Sequence, residues 1–193
     1  MADPFALLGI PPTFDLDVAQ IEVRWRELSR TVHPDRHMAG SAADRRHAVA
    51  HAMDLNAAFR IIKDPIKRAE ALLAVAGVAT GDKGREPPPD MELLMSVMQL
   101  RGDLATARSE GNIVAIEQAI AEVRALECEA MKATSAAIAA LLHDRSHDRS
   151  EPDVDAIPAV KAVGKLRYYR RFLDEARAIV DDVADRAASG VLP

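Results

Sequence analysis

Three consecutive residues, His33, Pro34 and Asp35, stand between two stretches with the apolar spacing of helices. Proline cannot continue the preceding helix and fixes the backbone of a turn, so the triplet is expected on an exposed loop. Binding and catalytic groups concentrate on such loops, where core packing has no use for a histidine and an aspartate. The alternative is an ordinary interhelical turn, which the same three residues would also make.

The stretch before this loop carries arginines on its polar side. Arg26 and Arg30 are four residues apart, so they share one face of a helix, and Arg24 lies nearby. A cationic helix face beside a polar loop suits docking to an acidic protein surface. The alternative is a solvated face with no partner.

The histidines suggest a second chemistry. All six fall in pairs four residues apart, a spacing that puts two imidazoles on one helix face, as metal sites require. No carboxylate completes a third ligand convincingly, so we expect no metal and keep a helical histidine metalloprotein as the rival enzyme-class hypothesis. The sequence shows no glycine-rich phosphate loop and no nucleophile elbow, and the single Cys128 has no cationic neighbour; we therefore predict no catalysis and no cofactor.

Composition favours an all-α protein. Aromatic residues make up 4% of the 193 residues and alanine is abundant, which favours helices over strands. The net charge of −5 lacks the basic footprint of a nucleic-acid binder, and no apolar stretch is long enough to span a membrane. The first residues do not resemble a signal peptide and one cysteine suits a reducing compartment, so we expect a cytoplasmic protein.

Capping residues and prolines divide the chain into helices, which form one group before a stretch rich in glycine and proline and a second group after it. Asp3-Pro4, Asp17, Ser41 with Asp44, and Asp64-Pro65 are expected to begin four helices. A stretch rich in glycine and proline follows, and beyond it three long helices predict an antiparallel three-helix bundle. The predicted organisation is a domain at 1–77, a linker at 78–89 and a bundle at 90–193.

The start of the bundle carries more apolar residues than one core-facing stripe can hold. Leu94, Met95 and Met98, together with Leu93 and Val97, cover more than one face of a helix. An exposed methionine and leucine patch is a common protein-binding surface. The alternative is that these residues pack against the N-terminal domain.

The first 77 residues resemble the J-domain of DnaJ-type co-chaperones. The resemblance rests on His33-Pro34-Asp35 between two helices, on Leu55-Asn56-Ala57-Ala58-Phe59, and on Asp64-Pro65 followed by Arg68-Ala69-Glu70 and Leu72-Leu73. Together with Leu8-Gly9-Ile10-Pro11 these motifs are similar to one branch, the HscB-type J-proteins of iron–sulfur cluster biogenesis. The resemblance implies a J-domain, a C-terminal three-helix bundle and an L-shaped molecule.

The resemblance also implies two partners. The first is a DnaK-class chaperone of the HscA type, bound and stimulated through residues that match the family's loop and basic surface: His33, Pro34, Asp35, Arg24, Arg26, Arg30 and Arg36. The second is the iron–sulfur scaffold protein IscU, held by matching positions in the bundle: Leu94, Met95, Met98, Gln99 and Tyr168. Gln99, Gly102 and Thr106 stand where the family often has carboxylates, which leaves a J-protein with a different client as the alternative.

Overall fold

The computed structural model describes residues 3–32, 41–78, 90–145 and 156–188. Those residues form seven α-helices and no strand, as the composition predicted: α1 Pro4–Leu8, α2 Val18–Thr31, α3 Ala42–Lys63, α4 Pro65–Val75, α5 Met91–Ser109, α6 Ile113–Arg145 and α7 Ile157–Ala188. Within this part of the chain, no helix is both long enough and apolar enough to cross a membrane.

The four predicted helix starts at Asp3, Asp17, Ser41 and Asp64 are confirmed. The side chain of Asp3, Asp17, Asp64 or Asp90 accepts hydrogen bonds from the first backbone N–H groups of the helix that follows it. Ser41 and Asp44 form the complete reciprocal capping box of α3. Gly9, Gly77 and Gly111 adopt the left-handed backbone conformation that ends a helix. Capping by near neighbours makes these helix ends largely a local property of the chain.

The chain divides into two compact units. One contains Met1–Arg85 together with Ala137–Ala156, and the other contains Glu86–Ala136 together with Ile157–Pro193. The last turns of α6 therefore group with the N-terminal helices. Most of the predicted linker at 78–89 lies outside the described residues, and the predicted domain bounds stay predictions.

The N-terminal unit is built on a core shared by α1 to α4. α3 contacts α1, α2 and α4, so it is the central helix of this unit. The largest fully buried side chains come from all of these helices except α2, which contributes Ile21 as its buried residue: Phe5, Leu8, Leu55, Ile62, Leu72 and Leu73. This core holds α2 and α3 side by side, and these two helices flank residues 33–40 in the sequence.

A buried arginine joins the start of α4 to the preceding elements. Arg68 is 5% exposed, donates from Nη1 to the carbonyl of Ile62 at 2.9 Å, and lies over the ring of Phe14 at 5.0 Å. Burial lowers the pKa of its guanidinium, and the charges of Asp15 and Asp64 oppose that shift. The arginine of the Arg-Ala motif thus has a structural task within the N-terminal unit.

Ion pairs define the direction of the helices in the C-terminal unit. Asp90 pairs with Lys165, Arg101 with Glu175 and Arg108 with Asp182, so residue numbers rise together along α5 and α7. The two helices are therefore parallel. α6 follows α5 after a short turn at Gly111 and returns in the opposite direction, with Glu127 3.6 Å from Arg170 of α7. This is the predicted antiparallel three-helix bundle.

Candidate protein-binding surfaces

The first predicted site is only partly described. His33, Pro34, Asp35 and Arg36 lie outside the described residues, so their roles stay predictions. The structure describes both sides of the segment: α2 ends at Thr31 and α3 begins after the Ser41 cap. The three remaining predicted residues, Arg24, Arg26 and Arg30, are all exposed on α2.

The arginines of α2 differ in what they contact. Arg26 forms an exposed ion pair with Glu22 one turn earlier. Arg24 reaches the C-terminal end of α1, where its Nε donates to the carbonyl oxygen of Leu8. A cation there neutralises part of the negative end of the α1 dipole. Arg24 therefore helps hold α1 on α2, a task that the sequence pattern did not reveal.

Gly9 makes room for this contact. Its φ of +60° is a conformation that L side chains rarely adopt, and a Cβ atom there would lie 2.5 Å from Nη2 of Arg24. The Leu-Gly motif at the start of the chain is thus explained by the turn after α1 and by the approach of Arg24.

An aromatic contact joins α2 to α3 beneath the basic surface. The rings of Trp25 and Phe59 stack 4.6 Å apart at an interplanar angle of 9°, and Trp25 Nε1 donates to Asn56 Oδ1 at 3.0 Å. Lys63 Nζ lies over the Phe59 ring, 5.9 Å from its centroid. This contact gives physical roles to Asn56 and Phe59 of the family-like motif, and it fixes the spacing of α2 and α3.

The second predicted site lies at the start of α5. Leu94, Met95 and Met98 are 36%, 68% and 66% exposed, whereas Val97 is buried in the bundle. Met91 is also 62% exposed, and its spacing of four and seven residues from Met95 and Met98 puts it on the same face. We call Met91, Leu94, Met95 and Met98 the methionine patch. Met91 was missed because it stands first in its helix, where no earlier apolar residue completes a stripe.

Tyr168 lies beside this patch because of the register between α5 and α7. On α5, Leu94 lies one helical turn after Asp90 and two turns before Arg101. On α7, Tyr168 likewise lies one turn after Lys165 and two turns before Glu175. The two ion pairs Asp90–Lys165 and Arg101–Glu175 thus bracket Leu94 and Tyr168 on facing sides of the two helices. Tyr168 is half-buried, whereas its neighbour Tyr169 lies in the core.

Three uncharged residues lie along the α5 side of the patch, on a face that also carries the exposed Glu92 and Asp103. Gln99, Gly102 and Thr106 are exposed, and a Cβ added to Gly102 would meet no atom within 4 Å. At the α7 side, the pKa of Asp90 is lowered by the hydrogen bond from the Leu93 N–H, by Lys165 and by Lys161. The carboxylate of Asp90 thus caps α5 and pairs with Lys165, whose Nζ lies 3.3 Å from Oδ2.

The histidine pairs do not assemble into a metal centre in the described part of the chain. His47 and His51 line a cleft with Asp44, Thr31, Val32 and Ala48, and the Asp44 carboxylate accepts from the backbone and hydroxyl of Ser41. Among the described residues, no group of three or more His, Cys, Asp or Glu side chains is arranged to hold a metal ion. His33, His37 and His147 lie outside those residues.

Comparison with known proteins identifies the family. Residues 89–177 match the family model described as the HSCB C-terminal oligomerisation domain. A co-chaperone protein HscB homologue of Shewanella oneidensis is 32% identical over 183 residues, which cover 94% of this chain and 98% of that protein. The chaperone HscB of Vibrio cholerae is 25% identical with a TM-score of 0.75, covering 94% of this chain and 99% of that chain.

The fold agrees with a more distant relative as well. The crystal structure of human co-chaperone protein HscB has a TM-score of 0.74, and the match covers 92% of this chain and 82% of that one. At 23% sequence identity, this structural likeness supports the all-helical fold alone. With a relative above 30% identity matched over nearly its whole length, the chain belongs to the HscB family of co-chaperones.

Proposed function

We propose that the N-terminal unit binds a DnaK-class chaperone of the HscA type and stimulates its ATPase. The observation that carries this proposal is the exposed cationic face of α2 beside His33-Pro34-Asp35 in a member of the HscB family. Arg26 and Arg30, with Arg36 just after the triplet in the sequence, would approach acidic residues of the chaperone. The chain itself would be an activator without catalysis or cofactor, acting in the cytoplasm.

The C-terminal unit would present a client to that chaperone. We infer that the client is an iron–sulfur scaffold protein of the IscU type, covering the methionine patch, Gln99 and Tyr168. Support comes from the exposure of four large apolar side chains on the first turns of α5, which exceeds what the bundle core requires. Buried apolar anchors supply most of the affinity at such interfaces.

Replacing His33 by Gln tests the first proposal. The variant should keep its helical content and thermal unfolding, and it should lose nearly all stimulation of the chaperone ATPase in steady-state phosphate release. His143→Gln is the matched control, since His143 is exposed on α6, and it should stimulate like the parent. Full stimulation by His33→Gln would overturn the J-protein function of the N-terminal unit.

A different client is the second candidate, favoured by the neutral Gln99, Gly102 and Thr106 at one edge of the patch. Co-purification of the scaffold protein with the full chain separates the two candidates. Retention of the scaffold supports the first, and retention of another protein in its place supports the second. Light scattering of the chain alone adds the third outcome, a second copy covering the patch.

The rival metalloprotein hypothesis has a direct test. Protein purified without a histidine tag should contain no stoichiometric transition metal by elemental analysis. A bound metal that is lost in a His47→Ala, His51→Ala variant would favour that rival.

A further inference from the structure

Three of the seven methionines of this chain lie together on the surface of the C-terminal unit. The methionine patch contains Met91, Met95 and Met98, and each of these side chains is more than half exposed. Their spacing of four and three residues puts the three thioethers on one face of α5. Other residues of α5, Val97 and Leu100 among them, fill the bundle core, so the patch methionines are open to small solutes in the free chain.

A thioether is an oxidisable group in an otherwise apolar side chain. When it meets hydrogen peroxide, the sulfur lone pair attacks one peroxide oxygen, the O–O bond breaks, an S–O bond forms and the second oxygen leaves as water. The sulfur loses two electrons, and the peroxide gains them. The product, methionine sulfoxide, is polar, and methionine sulfoxide reductases return it to the thioether.

This oxidation would act on docking and leave the fold intact. On an exposed side chain of the free chain, the sulfoxide oxygen stays hydrated, and the bundle core is not involved. In a covered interface the same oxygen loses its water, and a polar group that is buried without a hydrogen-bond partner opposes binding. One such group could turn to the edge of the interface, but three on a single helix face cannot all do so.

We propose that the methionine patch is a modification site at which peroxide oxidants control scaffold binding, by converting Met91, Met95 and Met98 to sulfoxides. This inference rests on the proposed function, because it takes the protein that covers the patch to be the iron–sulfur scaffold. It adds a reversible control to that function. The reduced patch binds the scaffold, and the oxidised patch releases it.

The other oxidisable side chains of the protein supply the controls. Met53 is 65% exposed on α3 of the N-terminal unit, so it should oxidise as readily as the patch without affecting scaffold binding. Met131 of α6 is half-buried and should oxidise more slowly. Cys128 is exposed and reacts with the same oxidant, so every protein in the experiment carries Cys128→Ser. Met1 and Met38, outside the described residues, are kept in all of them.

Scaffold binding before and after oxidation tests the inference. The full chain is treated with hydrogen peroxide, freed of it by desalting, and titrated into labelled scaffold protein by fluorescence anisotropy. Peptide mass spectrometry reports which methionines have gained oxygen. Complete oxidation of the patch should weaken binding about 10- to 100-fold, because polar groups are then buried without partners. Treatment with methionine sulfoxide reductases should restore the affinity, and circular dichroism should show unchanged helical content throughout.

A triple variant separates the patch from the rest of the chain. Met91→Leu with Met95→Leu and Met98→Leu keeps apolar side chains of similar volume and removes the sulfur, so peroxide should not change its scaffold binding. Met53→Leu is the matched control, and it should remain as sensitive to peroxide as the parent. Met98→Gln places a polar group in the patch without any oxidant and should weaken binding, whereas Met53→Gln should not.

The inference and the proposed function fail differently. If the untreated chain does not bind the scaffold, the client hypothesis is wrong and the inference is withdrawn with it. If the untreated chain binds and the fully oxidised patch binds equally well, the client hypothesis holds and the control by oxidation is wrong. A loss of affinity on oxidation of the triple variant as large as that of the parent would also overturn the inference, since the sensitive group would then lie elsewhere.

Discussion

The two candidate surfaces differ in how far their residues also serve the fold. On α2, Arg24 binds the end of α1 and Arg26 pairs with Glu22, so the basic surface is partly used by the N-terminal unit itself. On α5, the methionine patch remains exposed after Val97, Leu100 and Leu104 have filled the bundle core. A residue that supports both fold and docking cannot be assigned from its exposure alone, whereas an exposed methionine cluster has no structural use that competes with binding.

The largest expected effect is a loss of stability in the N-terminal unit that leaves scaffold binding by the C-terminal unit unchanged. Trp25→Ala removes the stacking on Phe59 and leaves Asn56 without its donor, and we expect a loss of about 2–3 kcal/mol of stability for this half-buried site. Urea unfolding followed by circular dichroism measures it. Val23→Ala is the control on the same helix, since Val23 is 56% exposed and its truncation should change little. If Trp25→Ala also weakened scaffold binding by a similar free energy, the two surfaces would not be independent of each other.

The next effect concerns the methionine patch alone. Leu94→Ala combined with Met98→Ala should weaken scaffold binding by about 10- to 100-fold, the loss of two apolar anchors. The free energy of unfolding should fall by about 1 kcal/mol, mainly because Leu94 is partly buried. Isothermal titration and basal stimulation of the chaperone ATPase are the readouts, and basal stimulation should be spared. Val114→Ala, at an equally exposed site on α6, is the control. Unchanged binding would mean that the patch is not a docking surface.

A smaller effect would sharpen the assignment of the arginines. Arg24→Ala should cost about 1 kcal/mol of stability, because it removes a charged donor from the Leu8 carbonyl. Arg26→Ala should cost less than about 0.5 kcal/mol, since it breaks an exposed ion pair, and it should lower ATPase stimulation. Thermal unfolding and the ATPase assay together give both values. If Arg24→Ala kept its normal stability but lost ATPase stimulation, Arg24 would be assigned to chaperone binding and not to holding α1.

The smallest effect concerns Gly102, beside the methionine patch, and tests whether this glycine lowers the stability of the C-terminal unit. Gly102 lies within α5 with open space around its absent Cβ, so Gly102→Ala should stabilise the C-terminal unit by about 0.5–1 kcal/mol. Gly111→Ala is the contrast, because Gly111 has a φ of +62° and the variant should be less stable. Differential scanning calorimetry distinguishes the two. A destabilised Gly102→Ala variant would show that the glycine is required by the helix.

Much of the architecture was predictable because it is local. Asp3, Asp17, Ser41 and Asp64 cap helices through hydrogen bonds to residues two or three positions later, so a short stretch of sequence contains all of the interacting groups. The exposure of Leu94, Met95 and Met98 was predictable for a related reason: α5 has more apolar residues than one stripe can bury. The second function of Arg24 was not predictable, since Leu8 is sixteen residues away and outside any periodic pattern.

The sequence by itself determined the all-α class, the ends of the helices and the excess of apolar residues at the start of α5, because each depends on neighbours within a few turns. Only the tertiary structure decided which α2 arginine holds α1, and that Trp25 bonds Asn56. It also decided the register that brings Tyr168 and Lys165 of α7 beside the start of α5. These contacts join residues far apart in the chain, and their geometry depends on how whole helices pack and on the register between them.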